Sequence, residues 1–383
     1  MRTIKDIFKQ QFLLGVFIAL VPALLLNTGV AQAAPVAHSK SWKVVSSPNT
    51  GTADQFNGIA AISKKDVWAV GDYTNSSNIE QTLIEQWNGS TWSIVASPNV
   101  GSSDNVLYGV AAVSASDIWA VGQAGNRYTG PLQTLIEHWN GTSWSVIPSV
   151  NLGTDEGLFG VAVISTSNVW AVGYYVNRHE QPLIEQWNGT SWSVVTSPKL
   201  GADGGGFLGI TAISASDIWA VGSHGINQYT QNVLIEHWNG TKWKVVPGTS
   251  PSDYNQLIGL AAVATNDVWA VGYGDFISGP TEMLIEHWNG SSWSIVDANV
   301  YNQSLYAVAA ISANDIWAVG YTDNPSTLIE HWDGTSWSPV PSPAPGSYSQ
   351  LFGVTRVPGS KHLWAGGYYA PSNAAQTLTE FYG

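Results

Sequence analysis

Twenty tryptophans recur along this chain in three interleaved series, and no other feature limits its fold so tightly. One series is Trp68, Trp119, Trp170, Trp219, Trp269, Trp317 and Trp364. The second is Trp87, Trp139, Trp187, Trp238, Trp288 and Trp332; the third runs Trp42, Trp92, Trp144, Trp192, Trp243, Trp293 and Trp337. Steps within a series are 44 to 52 residues. A period of that size marks one supersecondary unit, repeated because a single copy cannot bury its own apolar face.

The unit from Leu107 to Pro148 shows what is repeated. LYGVAAVS is short, apolar and β-branched and ends in the turn letters Ala-Ser-Asp; IWAVG follows, then a variable polar loop. TLIEHWN alternates as a third strand, Asn-Gly reads as a tight turn with positive φ at both residues, and SWSVI is the fourth strand. Four strands without a helix form one twisted sheet, and such sheets ranged around an axis are propeller blades. The expected fold is all-β, a seven-bladed β-propeller. Its units are marked by Gly58, Gly109, Gly160, Gly209, Gly259, Ala307 and Gly353. The last unit stops at its third strand, TLTEFYG, and the missing fourth is SWKVVSSPN, Ser41 to Asn49. Pairing the two closes the ring and removes two exposed sheet edges at once.

In its order of IWAVG, loop, LIEHWNGTSW and a Pro-containing segment, the chain from Ser41 to Gly383 resembles the kelch repeat. The matching positions are Gly122, Glu137, Trp139 and Trp144 with their counterparts. It departs from that repeat in the paired glycines, which only Gly366-Gly367 keeps; elsewhere the second position reads Asp72, Gln123, Tyr174, Ser223, Tyr273 or Tyr321. The resemblance implies a kelch-like propeller of the secreted bacterial kind. It extends to copper oxidases of the galactose oxidase type, whose Tyr–Cys cofactor has no counterpart in a chain without cysteine.

Residues 1–33 read as a signal peptide: Arg2, Lys5 and Lys9, an apolar run from Phe12 to Leu26, then Ala31-Gln32-Ala33 as the cleavage site. An uncleaved anchor is the other reading of that run, which falls short of the ~20 residues a spanning helix needs. Residues 34–40 read as a flexible mature N-terminus, 41–383 as the propeller, and the product as secreted and monomeric. Net charge is 14 − 27 = −13. Removing the leader makes it 11 − 26 = −15, and no Lys/Arg cluster remains. That balance argues against nucleic acid and anionic lipid as partners. Without cysteine, thiol catalysis and zinc–thiolate sites are excluded.

Glu85, Glu137, Glu185, Glu236, Glu286, Glu330 and Glu380 occupy one place in all seven units. A catalytic acid is needed once per site, whereas these are needed once per blade, so each should accept hydrogen bonds from a neighbouring strand or turn. Beside them stand His138, His237, His287 and His331, but Gln86, Gln186 and Phe381 in the other units, so no metal site is expected. Five Asn-Gly pairs score as glycan acceptors; Asp333-Gly334 keeps the turn and loses the acceptor, which favours turn chemistry.

Function should ride on the face carrying the second-to-third loops and the inter-blade loops, where the letters vary. Candidate ligand contacts there are Arg127, Tyr128, Tyr174, Tyr175, Arg178, His179, His224, Tyr229, Tyr273, Tyr321 and Tyr368. Tyr among Asn, Ser and Gly is the composition of adaptable recognition surfaces. Arg356 replaces the Ala61 type of residue on the innermost strand and is a candidate channel group. No cofactor is implied, and no P-loop, HExxH or serine elbow is present. The preferred reading is a non-catalytic binding module for a glycan or protein. The alternative is a polysaccharide hydrolase or lyase at the channel mouth, using Arg178, His179, Glu180 or His224.

Overall fold

The computed structural model describes residues 40–383, apart from 127–129, 201–203, 228–229, 278, 298–299, 325 and 372–373. The leader and most of residues 34–40 thus lie outside the described residues. The described chain forms 28 strands and no helix. The first blade is β2 (Ala53–Ser63), β3 (Asp66–Thr74), β4 (Glu80–Trp87) and β5 (Trp92–Ile94), paired antiparallel in that order. Five more blades repeat it, the fourth and fifth joined by a single parallel bridge between Gln231 and Tyr254. The last blade is β26 (Tyr348–Arg356), β27 (Leu363–Ala370) and β28 (Gln376–Tyr382), completed by β1 (Trp42–Val44). In β1, Trp42 pairs with Tyr382 and Val44 with Glu380, so the N-terminal strand closes the ring.

The tryptophans occupy the seams between blades. Trp68 packs against Trp139 and Trp144 of the next blade, ring centroids 5.0 and 5.6 Å apart. At the closing seam Trp364 meets Trp87 at 5.1 Å and Trp92 at 5.3 Å. In the seam before it, Trp317 meets Trp42 at 5.9 Å and Tyr382 at 4.5 Å, so Tyr382 fills the one position that tryptophan leaves empty. Each seam is its own apolar cluster, in which offset and edge-on aromatic packing adds to simple burial.

The inner and second strands run longer than the sequence suggests. The inner strand of the first blade starts at Ala53, five residues before Gly58, and pairs with β3 as far as Thr74. A bulge between Phe56 and Gly58 and its counterparts sets the register. It brings the carbonyl of Gln55 so close that a Cβ on Gly71 would lie 2.0 Å from it, hence a glycine there in every blade. Gly367 is the counterpart of Gly71, and Gly366 takes the place of Val70. The residues from Asp72 to Tyr321 read above as the second glycine position are therefore counterparts of Tyr368. Only the first glycine answers to a steric demand.

The third-to-fourth turns also differ from the expectation. Positive φ is confined to the glycine, +93° at Gly141, and the preceding Asn adopts an ordinary conformation. Asn140 is instead an acceptor: its Oδ1 takes the Thr142 N–H at 2.9 Å, the Thr142 hydroxyl at 2.7 Å and the Ser143 N–H at 3.0 Å. Asp333 does the same with Thr335 and Ser336. The Ser or Thr of each N-G-[ST] triplet thus caps the turn, an Asx arrangement. Asn140→Asp is expected to melt like the parent protein. Gly141→Ala should cost about 1–2 kcal/mol, the strain of a left-handed residue with a Cβ, compounded by Ser116 Cβ at 2.8 Å. Thermal melts of the two variants check this; equal melting temperatures would count against it.

Candidate functional site

Each seam carries a buried glutamate. The Ser97 hydroxyl, on the linker entering the second blade, donates to Glu137 Oε2 at 2.7 Å. Ser197 reaches Glu236 at 2.8 Å, Ser342 reaches Glu380 at 2.8 Å, and the Thr249 N–H reaches Glu286 at 3.0 Å. Ser149 binds Glu185 in the same way. Burial pushes these carboxyls up, to about 8 at Glu85, Glu137 and Glu380 and about 7 at Glu185, Glu236 and Glu286. Asp54 adds to the burial effect at Glu85. The donor position is legible as a Ser five residues after Trp42, Trp92, Trp144, Trp192 and Trp337, a repeat the sequence reading passed over. The first of these, Ser47, bonds Thr377 instead, and both oxygens of Glu85 are buried without a partner among the described residues, against the expectation for that position.

The histidines are tied down locally. His138 Nε2 lies 2.9 Å from Asp117 Oδ1, which also accepts the Trp119 indole N–H at 3.0 Å. In the first blade Gln86 donates to Asp66 Oδ1 at 2.9 Å in the same manner. In the third blade Gln186 donates to Asn168 Oδ1 at 3.0 Å, so a shared acceptor oxygen, Asp or Asn, explains why Gln stands in for His. No group of three or more His, Asp or Glu able to hold a metal exists among the described residues.

On the variable face, several candidates belong to strands rather than loops. Tyr174 is fully buried and stacks on Phe159 at 5.7 Å. Tyr321 stacks on Tyr306 at 5.4 Å, its hydroxyl 3.3 Å from that of Tyr306. Tyr368 stacks on Tyr348 at 5.8 Å, and Tyr273 lies 6.3 Å from Tyr306. Burial raises the hydroxyls of Tyr321 and Tyr368 far out of the titrating range, so they act as neutral hydrogen-bonding groups. Tyr175 is half-buried against the seam of the second and third blades.

Strand geometry is the cause. The bulged inner residues Tyr108, Phe159, Leu208, Ile258, Tyr306 and Phe352 pack into two clusters that share Ile258. Together they form an apolar girdle over six blades. The first blade breaks it: Asn57 donates to Asp72 at 3.2 Å and to the Leu107 carbonyl at 2.9 Å, and Gln55 donates to Asp72 at 3.1 Å.

The described ionisable candidates are divided among different blades. Arg178 and His179 are exposed at a hairpin tip where Arg178 has φ +69°. His224 is half-buried with its pKa lowered by burial, and pairs with Gly205 on the adjoining inner strand. Arg356 donates to the Ser360 and Ile311 carbonyls, each at 3.0 Å, which ties its guanidinium to its own turn and to the preceding blade. Arg127, Tyr128 and Tyr229 lie outside the described residues.

Side chains the sequence reading passed over are the most exposed apolar groups on this face. Ile277 is 60 % exposed, and Ile226 and Tyr301 are each 47 % exposed; Val100, Val150 and Leu152 are exposed on the earlier linkers. Single apolar letters inside polar loops give no periodic signal, so only the structure shows them facing water together.

No family model and no curated protein matches this chain. Solved structures do match. YCF48 bound to a D1 peptide aligns with a TM-score of 0.59 and 13 % identity, covering 91 % of this chain and 98 % of that one. The RRP9 WD40 repeats align at 0.59 and 10 %, covering 89 % and 97 %. An ulvan lyase, a polysaccharide lyase bound to a GlcA(1-4)Rha3S unit, aligns at 0.54 and 10 %, covering 88 % and 95 %. The chain is a β-propeller with a repeated four-stranded blade. At these identities the likeness extends to the fold alone.

Proposed function

We propose that this propeller is a secreted or cell-surface recognition module, kelch-like in type, that binds a polypeptide segment on its variable face without catalysis. One observation carries the reading. Ile226, Ile277 and Tyr301 are held out to water on that face, whereas the opposite face repeats one capped turn from blade to blade. Exposed apolar side chains also line the outer strands, at Val44, Ile94, Val146, Val194 and Val245, so it is the place of Ile226, Ile277 and Tyr301 among the variable loops that supports an interaction surface here. A rigid ring beneath them limits the entropy lost on binding. YCF48, bound to a D1 peptide, is a precedent for a polypeptide ligand on this fold.

The enzyme reading rests on Arg178, whose positive φ at an exposed tip is a strained conformation of the kind found at functional sites. Screening the mature chain, Ala34 to Gly383, against a peptide library and a glycan array separates the cases. Peptide binding lost in Ile277→Ser supports the module. Turnover of a bound polysaccharide, lost in His179→Ala, would replace it with the enzyme.

A further inference from the structure

Charge on the variable face is divided by sector. From Leu200 to Thr355 the chain contains only two cationic residues of the Lys/Arg type, Lys242 and Lys244, and both belong to the third-to-fourth turn on the opposite face and its outer strand. The variable face of the fifth and sixth blades therefore has no Lys or Arg, while Arg178 and Lys199 lie on the third blade and the linker that follows it. What it has is aspartate set among the exposed apolar groups.

Hydrogen bonds tie together the segments that carry the aspartates. Gln231, five residues beyond Ile226, donates its N–H to the Asp253 carbonyl at 2.9 Å. The Ile277 N–H donates to Asp253 Oδ2 at 2.9 Å. Thr281 donates to Asp275 Oδ1 at 2.7 Å, and its carbonyl accepts the N–H of Asn302, next to Tyr301. The Asp323 N–H closes the path on the Asn302 carbonyl at 2.8 Å. Asp323 is pushed up first by burial and then by the neighbouring charge of Asp275. Two carboxylates that repel each other gain from an incoming cation.

We propose that Ile226, Ile277 and Tyr301, with Asp253, Asp275 and Asp323, form a docking surface for a polypeptide segment in which Lys or Arg alternates with apolar side chains. The inference rests on the reading of the face as a peptide-binding surface and specifies its partner. Apolar residues of the segment cover Ile277 and Tyr301 while its cations lie over the aspartates, so affinity should fall with salt. A sector without Lys or Arg rejects an acidic segment by repulsion alone.

The test uses the mature chain and three synthetic peptides of equal length, built from Lys/Leu, Glu/Leu and Lys/Ser repeats, read by fluorescence anisotropy. The Lys/Leu peptide is expected to bind best and to lose affinity with added salt. Ile277→Ser with Tyr301→Ser should weaken it by at least about tenfold, since two interface anchors are lost. Asp323→Asn should weaken it several-fold, whereas Asp333→Asn, the same change of charge on the opposite face, should not. Equal loss in those two variants would reduce the effect to net charge and overturn the proposal. Preference for the Glu/Leu peptide would overturn it while leaving the peptide-binding reading intact. Binding of glycans in place of all three peptides would overturn both.

Discussion

Raising the pH from 5 to 8 is expected to destabilise this protein, the reverse of the usual acid sensitivity. Six of the seven seam glutamates carry a carboxyl pushed by burial to about 7 or about 8. In the unfolded chain each returns to the ordinary value of 4.5. Between those values the folded state holds protons that the unfolded state has released, so stability falls as pH rises and levels off above the folded pKa. Each proton retained is worth about 1.4 kcal/mol per pH unit. Even one net proton across two units removes about 3 kcal/mol, a large share of a typical 5–15 kcal/mol stability. The geometry accounts for the sign. Ser97 satisfies one oxygen of Glu137, and the other is buried without a partner among the described residues, so no group offsets a full negative charge.

Urea unfolding at stepped pH measures the slope. Glu137→Gln, which keeps the acceptor for Ser97 without the charge, should match the parent at pH 5 and exceed it at pH 8. Stability that rises steadily from pH 5 to 8 would refute the account. So would a Glu137→Gln variant that is weaker at every pH.

Deleting residues 34–49 is the second change with a large expected effect. It removes β1, and with it Trp42 from between Trp317 and Tyr382. It also removes the bonds from Thr377 to Asn49 and from Val45 to Thr379. Loss of one buried tryptophan costs about 3–5 kcal/mol, and the exposed edge of β28 adds an aggregation hazard. The truncated chain should melt well below the parent and associate at its open blade. Adding a peptide of residues 41–49 in trans should restore the monomeric melt. A truncated chain as stable as the parent would mean that closure by β1 contributes little.

The sequence alone carried the architecture because the constraint was redundant. Three tryptophan series, a recurring Glu and a recurring Asn-Gly all report the same period, and a strand missing at one end reappears at the other. Such periodicity follows from each blade having to bury the same face against the next, so it is written seven times. Asn140 shows where that legibility ended: its position in a turn was plain, but its conformation was not. Whether Asn supplies a positive φ or an acceptor oxygen depends on loop length, which the pairing of Trp139 with Trp144 fixes at four residues.

The candidate site was legible only in outline. The varying letters marked a face, but the inner and second strands pair beyond the glycine and so carry Tyr174, Tyr321 and Tyr368 off the loops and against the apolar girdle. Local sequence cannot set bulge register, because it results from inner strands crowding one another at Gly58 and Gly109 around the axis. The exposed Ile277 and the Asp253–Asp275–Asp323 sector belong to three segments far apart in the chain. The sequence by itself determined seven blades, their order and how the ring closes, since these follow from local patterns repeated in step. Only the tertiary structure decided which side chains meet water on the variable face, because that depends on non-repeating contacts between neighbouring blades.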